Sequence, residues 1–345
     1  MSNIFSYTPD ELTELLVSLG EPKFRAKQIF TQLHKGVLLE EMTNVGKVTR
    51  ERLSGAADCS LPRVKRKLCS QIDETVKYLF ELSDGNCVES VVMKYEHGYT
   101  ICVSSQVGCL MGCKFCASTI GGKVRDLEAG EILGQLISAQ RDLGIRISNI
   151  VMMGIGEPLE NYDNVVKFLH IVNHPEGVNI GYRHISLSTC GIVPRIYDLA
   201  ELNLPITLSI SLHASDDETR SAIMPVNKRW GVEELLSACR DYYKTTERRI
   251  SFEYTLIAGK NDTKQNALHL ASVLNGALRT KSETMPIHVN LIPVNEVAES
   301  GFKSSDRDAV KAFAAILESK GIRATIRRTL GSDINASCGQ LRREG

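Results

Sequence analysis

The apolar positions of residues 1 to about 55 repeat at helical spacing. Leu12, Leu15, Leu16 and Leu19 share one face behind Thr8-Pro9-Asp10-Glu11. That tetrapeptide offers an N-cap hydroxyl, a proline at the first helical position and a glutamate three residues after the cap. Gly20 ends this helix. A second helix is predicted from Pro22 to Lys35, with Phe24, Ile29, Phe30 and Leu33 as its apolar side and Gly36 as its stop. A third and weaker one includes Val48 and Leu53. From Leu61 the pattern becomes that of strands. Thr75–Leu82 and Cys87–Met93 flank Ser83-Asp84-Gly85-Asn86, a hairpin signal.

From Tyr99 onward the chain alternates. Apolar β-branched runs occur at Ile101–Val103, Ile150–Met153, His184–Ser188, Ile206–Ser211, Ile250–Leu256, Ile287–Ile292 and Ala324–Arg327. Helical patterns lie between most of them, at Glu131–Gln140, Val165–Val172, Val232–Tyr243, Ala267–Leu274 and Arg307–Ser319. Strand–helix alternation means parallel βαβ units, and about six of them suit a barrel or a large part of one. The expected architecture is therefore α/β. A small helical domain covers 1–60, a β-hairpin linker 61–97, and a partial barrel 98–345.

Composition adds exclusions. The 345 residues exceed the ~250–300 at which single cores stop growing. Lys+Arg and Asp+Glu are both 41, so net charge does not advertise a nucleic-acid partner. Any such reading rests on local patches: Lys23, Arg25, Lys27, Lys47, Arg50 and Arg52 on the helical domain, and Arg63, Lys65, Arg66 and Lys67 on the first strand. On charge alone, the helical set reads as a solvated face. No apolar run is long enough for a membrane span, and the N-terminus lacks the basic-then-apolar pattern of a secretory signal. Ten cysteines without an export signal point to a reducing, cytoplasmic setting.

The chemistry centres on Cys109-x3-Cys113-x2-Cys116, with Cys102 seven residues upstream. A closed structural zinc site takes four ligands. Three thiolates suit an iron–sulfur cubane with one iron left open to a ligand. The other strands also end in polar residues: Gly154-Ile-Gly156-Glu157-Pro158, Ser186-Leu-Ser188-Thr189, Ser209-Ile-Ser211-Leu-His213 and Asn290 to Asn295. In a barrel these share the C-terminal rim, where catalytic residues gather. Glycines at 154 and 156 would let a ligand approach the backbone. Cys338 follows the last strand and can return to the same rim. Glu89 lies in a strand, where an isolated glutamate ordinarily faces solvent. Cys59, Cys69, Cys87, Cys190 and Cys239 read as incidental or core thiols.

The chain resembles the radical S-adenosylmethionine (SAM) enzymes, and among them the dual-specificity RNA methyltransferases that act on adenine C2. The resemblance rests on the cysteine motif, Gly154–Leu159, Ile185–Thr189, Ser211–Ala214, Met224–Asn227, Asn290–Pro293 and Ala336–Leu341. Ile155, Ser337 and Leu330 depart from the commoner family residues. Pro158 follows the C2 pattern rather than that of the sister C8 enzymes, which remain the alternative.

The resemblance implies one [4Fe-4S] cluster held by Cys109, Cys113 and Cys116. It places two SAM molecules per turnover against Gly156, Glu157, Ser188, Ser211, Leu212, His213 and Asn295. Cys338 would take a methyl group from the first SAM, and the second would yield the radical that activates it. Glu89 would remove the C2 proton. Cys102 would release the product through a transient disulfide. The implied partners are 23S ribosomal RNA at the peptidyl transferase centre, the anticodon loop of certain tRNAs, and an electron donor such as a flavodoxin or ferredoxin. The expected protein is a monomer without membrane contact.

Overall fold

The computed structural model describes residues 1–279 and 284–342. Its helical unit consists of α1 (Pro9–Ser18), α2 (Phe24–His34) and α3 (Lys47–Ala56). The capping box forms as predicted: Glu11 N–H donates to Thr8 Oγ1, and Thr8 N–H donates to the Glu11 carboxylate at 2.8 Å. Leu12, Leu16, Ile29, Phe30, Leu33 and Leu53 are buried between these helices.

Four strands follow: β1 (Arg63–Cys69), β2 (Val76–Glu81), β3 (Cys87–Tyr95) and β4 (Gly98–Cys102). A short antiparallel pair, β5 (Gln106–Gly108) and β6 (Lys123–Asp126), brackets the cysteine loop. A Cβ on Gly108 would lie 1.8 Å from the Gly122 carbonyl oxygen, so only glycine lets the two ends of that loop meet. The alternation then runs α4 (Ala129–Leu143), β7 (Ile147–Met152), α5 (Tyr162–Asn173), β8 (Ile185–Thr189), α6 (Val193–Glu201) and β9 (Thr207–Ser211). It continues with α7 (Asp217–Ile223), α8 (Val232–Thr246), β10 (Ile250–Leu256), α9 (Lys264–Leu278), β11 (His288–Pro293), α10 (Arg307–Ser319) and β12 (Arg323–Ile326).

Among the described residues one ten-stranded sheet runs β1-β2-β3-β4-β7-β8-β9-β10-β11-β12. Every neighbouring pair from β4 to β12 is parallel, and the sheet stays open between its two ends. This is the predicted partial barrel. The stretch expected to be a linker is instead built into the sheet. Strand β3 pairs antiparallel with β4, so β1–β3 extend the barrel wall. The helical unit is also docked on the barrel. Asn3 N–H and Ser6 Oγ–H both donate to Glu128, which caps α4 (2.9 and 3.2 Å). No helix among the described residues is long and apolar enough to cross a membrane.

The barrel strands alternate in the usual period of two, but both faces are buried. In β10, Phe252, Tyr254 and Leu256 join the large apolar core, while Ser251, Glu253 and Thr255 stand on the opposite face. Register then stacks polar rungs across the sheet, with Ser211 beside Glu253, Asn290 and Thr325. The polar interior is what makes room for a site.

Candidate active site

A cavity opens at the C-terminal ends of the parallel strands. Its wall includes Cys109, Cys113 and Cys116 from the β5–β6 loop, and Gly156, Glu157, Ser188, Ser211, His213, Asn295 and Cys338. Residues spread over more than two hundred positions thus converge as the strand ends predicted. Burial pushes the Cys109 thiol up to about 12 and raises Cys113 and Cys116 as well. These thiols stay protonated until a metal displaces the protons. Among the described residues no three His, Cys, Asp or Glu groups converge tightly enough for a single metal ion. Three thiols beside an open cavity fit a cluster in which each sulfur binds its own iron.

Gly154 and Gly156 line the cavity and also permit a close approach within the protein. A Cβ on Gly154 would meet the Val103 carbonyl oxygen at 2.6 Å, and one on Gly156 would meet Gln106 at the same distance. They let the loop after β7 press against the protein's own chain, and Gly156 also needs its φ of 107°. Glu157 is thereby held in the cavity wall. Its carboxylate accepts from Cys190 N–H at 2.7 Å and Leu159 N–H at 3.0 Å, and burial raises its pKa. A ligand ammonium would favour its ionised form.

His213 has a left-handed φ of 57°. Its Nδ1 accepts from Thr255 N–H at 2.9 Å, which leaves the ring proton on Nε2 as a donor. Burial lowers its pKa to about 3, so the ring is neutral. Leu212 is placed differently from its two neighbours. Ser211 and His213 line the cavity, whereas the Leu212 side chain is fully buried in the apolar core. Only its backbone faces the site's framework: its carbonyl accepts from Arg220 Nε at 3.0 Å.

A second, smaller cavity lies between the antiparallel extension and the C-terminal segment. Val91, Met93, Tyr95 and Cys102 form one side, and Arg328–Leu330 and Ala336–Cys338 the other. Cys338 and Asn295 line both cavities, while Cys102 lines only this one. The segment carrying Cys338 is tied down at several points. Asn295 Nδ2 donates to the Cys338 carbonyl at 2.9 Å, and Ala117 N–H donates to the Gly339 carbonyl at 2.8 Å. Asp333 accepts from Ser70 Oγ and Gln71 N–H, each at 2.8 Å, and Asp73 accepts from Gly331 N–H at 2.9 Å.

Glu89 does not face solvent, as an isolated strand glutamate ordinarily would, and it lines neither cavity. Its carboxylate pairs with Lys77 Nζ at 2.8 Å and accepts from Arg342 N–H at 2.6 Å. It shares a strand face with Val91 and Met93 of the second cavity, just behind Leu341.

Several site residues carried no sequence signal. Arg327 lines both cavities, and its charge acts on the Cys102 and Cys338 sulfurs. Glu253 lines the wide cavity within a closed polar ring. Ser251 Oγ and Asn290 Nδ2 donate to it, and His288 and Thr325 complete the circuit at 3.0–3.2 Å. Arg220 is fully buried and donates to the carbonyls of Cys190, Ser211 and Leu212 and to Asn227 Oδ1. It ties the ends of β8 and β9 to the Met224–Asn227 turn. Cys190, read as incidental, supplies its backbone to this framework.

The basic sets are largely engaged within the protein. Lys27 pairs with Glu176, Lys47 with Glu51, and Arg52 with Glu21. Arg25 and Arg50 donate to the carbonyls of Asn44 and Glu40. Arg63 and Lys65 pair with Glu81, and Lys67 with Asp142.

Comparison with known proteins gives a consistent picture. Residues 103–271 match the radical SAM superfamily, and residues 2–58 match the ribosomal RNA large subunit methyltransferase N-terminal domain. A protein of Clostridium novyi named probable dual-specificity RNA methyltransferase RlmN is 51% identical, over 99% of this chain and 98% of its own. A protein of Clostridium tetani with the same name is 53% identical, over 99% and 96%. The crystal structure of a radical SAM methyltransferase from Sphaerobacter thermophilus superposes with a TM-score of 0.94 at 40% identity, covering both chains fully.

Proposed function

The chain belongs to the dual-specificity RNA methyltransferases named RlmN, within the radical SAM enzymes, and we propose that it methylates adenine C2 in 23S ribosomal RNA and in the anticodon loop of certain tRNAs. The observation that carries this reading is the position of Cys338. It stands at the border of two cavities, one lined by Cys109, Cys113 and Cys116 and the other by Cys102. A thiol that must first receive a methyl group and later be attacked by a second thiol needs both neighbours. The cluster held by the three cysteines, together with SAM, supplies the methyl group and the one-electron chemistry.

The chain's own residues do the rest. Glu157 binds the SAM ammonium, and Ser188, Ser211, His213 and Asn295 surround its other polar groups. Cys338 receives the methyl group, with the Arg327 guanidinium in the wall that both cavities share. Once methylated, it delivers the carbon to the base. Glu89 takes the C2 proton. Burial pushes the Cys102 thiol up to about 12, so it stays inert until the adduct forms. Its sulfur then attacks the Cys338 sulfur: the S–S bond forms as the bond from the Cys338 sulfur to the transferred carbon breaks, and that carbon keeps the electron pair and takes up a proton to become the methyl group of the released RNA. The resulting disulfide is reduced by the thiol pool of the cell.

The base has to leave its stack to enter, at a cost of a few kcal/mol. The cations of the helical unit and of β1 offset this through phosphate contacts. Most of their present partners are surface carboxylates, in ion pairs worth about 0–1 kcal/mol each, so phosphates can replace them. Nucleoside mass spectrometry of rRNA and tRNA from cells with and without this gene tests the reading. Loss of 2-methyladenosine in the deletion is expected. Loss of an 8-methyl product, or of neither, would overturn it.

A further inference from the structure

Met111 lines the wide cavity, and it also lines a groove on the outside of the protein. The groove's floor is Leu110, Met111, Ile192, Pro225, Val226 and Trp230, the chain's only tryptophan. Leu110 is 60% exposed although it sits between Cys109 and Cys113. The groove is also firmly attached to the cysteine loop. Lys114 N–H donates to the Ile223 carbonyl at 2.9 Å, and a Cβ on Gly112 would already touch Pro225 at 3.4 Å.

The rim is positive. Arg229 lies over the Trp230 ring at 4.5 Å, and among the described residues it forms no ion pair. Arg195, also on the rim, is paired with Asp198 at 2.8 Å. The acid in the wall, Glu160, is occupied by Lys123 Nζ at 3.2 Å and Gln106 Nε2 at 2.8 Å. An exposed apolar floor that holds an aromatic ring and is ringed by cations is the profile of a protein-docking site for an acidic partner.

We propose that this groove docks the electron donor, a small acidic flavoprotein of the flavodoxin type, and that Leu110 and Met111 bring it against the cluster edge. This rests on the reading that Cys109, Cys113 and Cys116 hold a redox cluster. The wide cavity is reserved for SAM, Cys338 and the RNA base, so the electron enters from the opposite side. A flat apolar floor with Trp230 suits the aromatic edge of a flavin. In the transfer the flavin is oxidised by one electron and the cluster is reduced by one; no bond is made or broken.

The test uses the holoenzyme reconstituted with iron and sulfide, and recombinant flavodoxin as the probe. Binding is measured by titration calorimetry at low salt. Cluster reduction is followed as bleaching of its visible absorption, by reduced flavodoxin or by dithionite, a small reductant that needs no docking surface. The double variant Arg195→Glu/Arg229→Glu should bind flavodoxin about tenfold more weakly, a gap that closes at high salt. Its bleaching by dithionite should match that of the unsubstituted protein. Trp230→Ala, which removes no charge, should weaken binding at all salt concentrations. Unchanged flavodoxin affinity in both variants overturns the docking site, as does a ferredoxin that binds here where flavodoxin does not. Failure of the unsubstituted protein to show any cluster absorption overturns the underlying reading as well.

Discussion

The two cavities that meet at Cys338 are built from different kinds of structure. The wide one is framed by strand ends of the parallel barrel and braced by Arg220, which spans four acceptors. The narrow one is closed by a segment without regular strands, held to the β1–β2 turn by side-chain contacts through Asp73 and Asp333. The difference separates two demands. A cofactor site gains from rigid, preorganised groups. A site where one thiol must reach two successive partners gains from a wall that can shift. Cys338 belongs to the loop-built wall, and Cys109, Cys113 and Cys116 belong to the rim of the wide cavity.

Removing one thiol at a time gives the largest effects. Cys109→Ala should lose the cluster and all methylation, as read by visible absorption and nucleoside mass spectrometry. Cys338→Ala should keep the cluster and still fail to methylate. Cys102→Ala should accumulate an RNA–protein crosslink through Cys338, visible as a shifted band on a denaturing gel. If Cys102→Ala turned over without any crosslink, the narrow cavity would not be the release site.

Next comes the brace of the fixed rim. Arg220→Ala leaves several buried acceptors without a donor, which should cost at least about 3 kcal/mol of stability. Chemical denaturation of the apoprotein measures this. A loss below about 1 kcal/mol would place the rim among the adaptable parts of the molecule.

The third effect concerns charge at the border. Arg327→Gln removes the cation that acts on both sulfurs. Alkylation of Cys338 by iodoacetamide at fixed pH should slow about tenfold, and Arg327→Lys should restore part of the rate. Equal rates in all three proteins would assign Arg327 to packing alone.

The rim of the wide cavity was far more legible in the sequence than the loop-built wall. Cysteine spacing and strand–helix alternation are local patterns, so Cys109, Cys113, Cys116 and the polar strand ends could be read directly. Leu212 shows the limit of reading a motif whole. With Ser211 and His213 in the cavity, alternation along the chain turns the residue between them into the core. Glu253 and Arg327 look like ordinary strand residues. Their roles appear only through register, which sets Ser251 beside His288, and Glu253 beside Asn290. The expected linker failed for a related reason. A hairpin signal reports pairing between its own two strands and says nothing of the third edge, where β3 joins β4. The contacts of Asp73 and Asp333 link positions some 260 residues apart, for which no local pattern exists.

The smallest effect tests where the border lies. Asn295 faces both cavities, and its Nδ2 is the donor that holds the Cys338 carbonyl at 2.9 Å. Asn295→Ala removes a hydrogen bond worth about 1 kcal/mol, equivalent to about a fivefold change in an opening equilibrium. In the protein without SAM, amide exchange across residues 337–341 should therefore quicken about fivefold. If Asn295 served only to bind SAM in the wide cavity, exchange in the ligand-free protein would be unchanged and SAM affinity alone would fall. An increase that disappears on adding SAM would show that the cofactor also steadies the segment carrying Cys338, with Asn295 as the point where the two cavities are coupled.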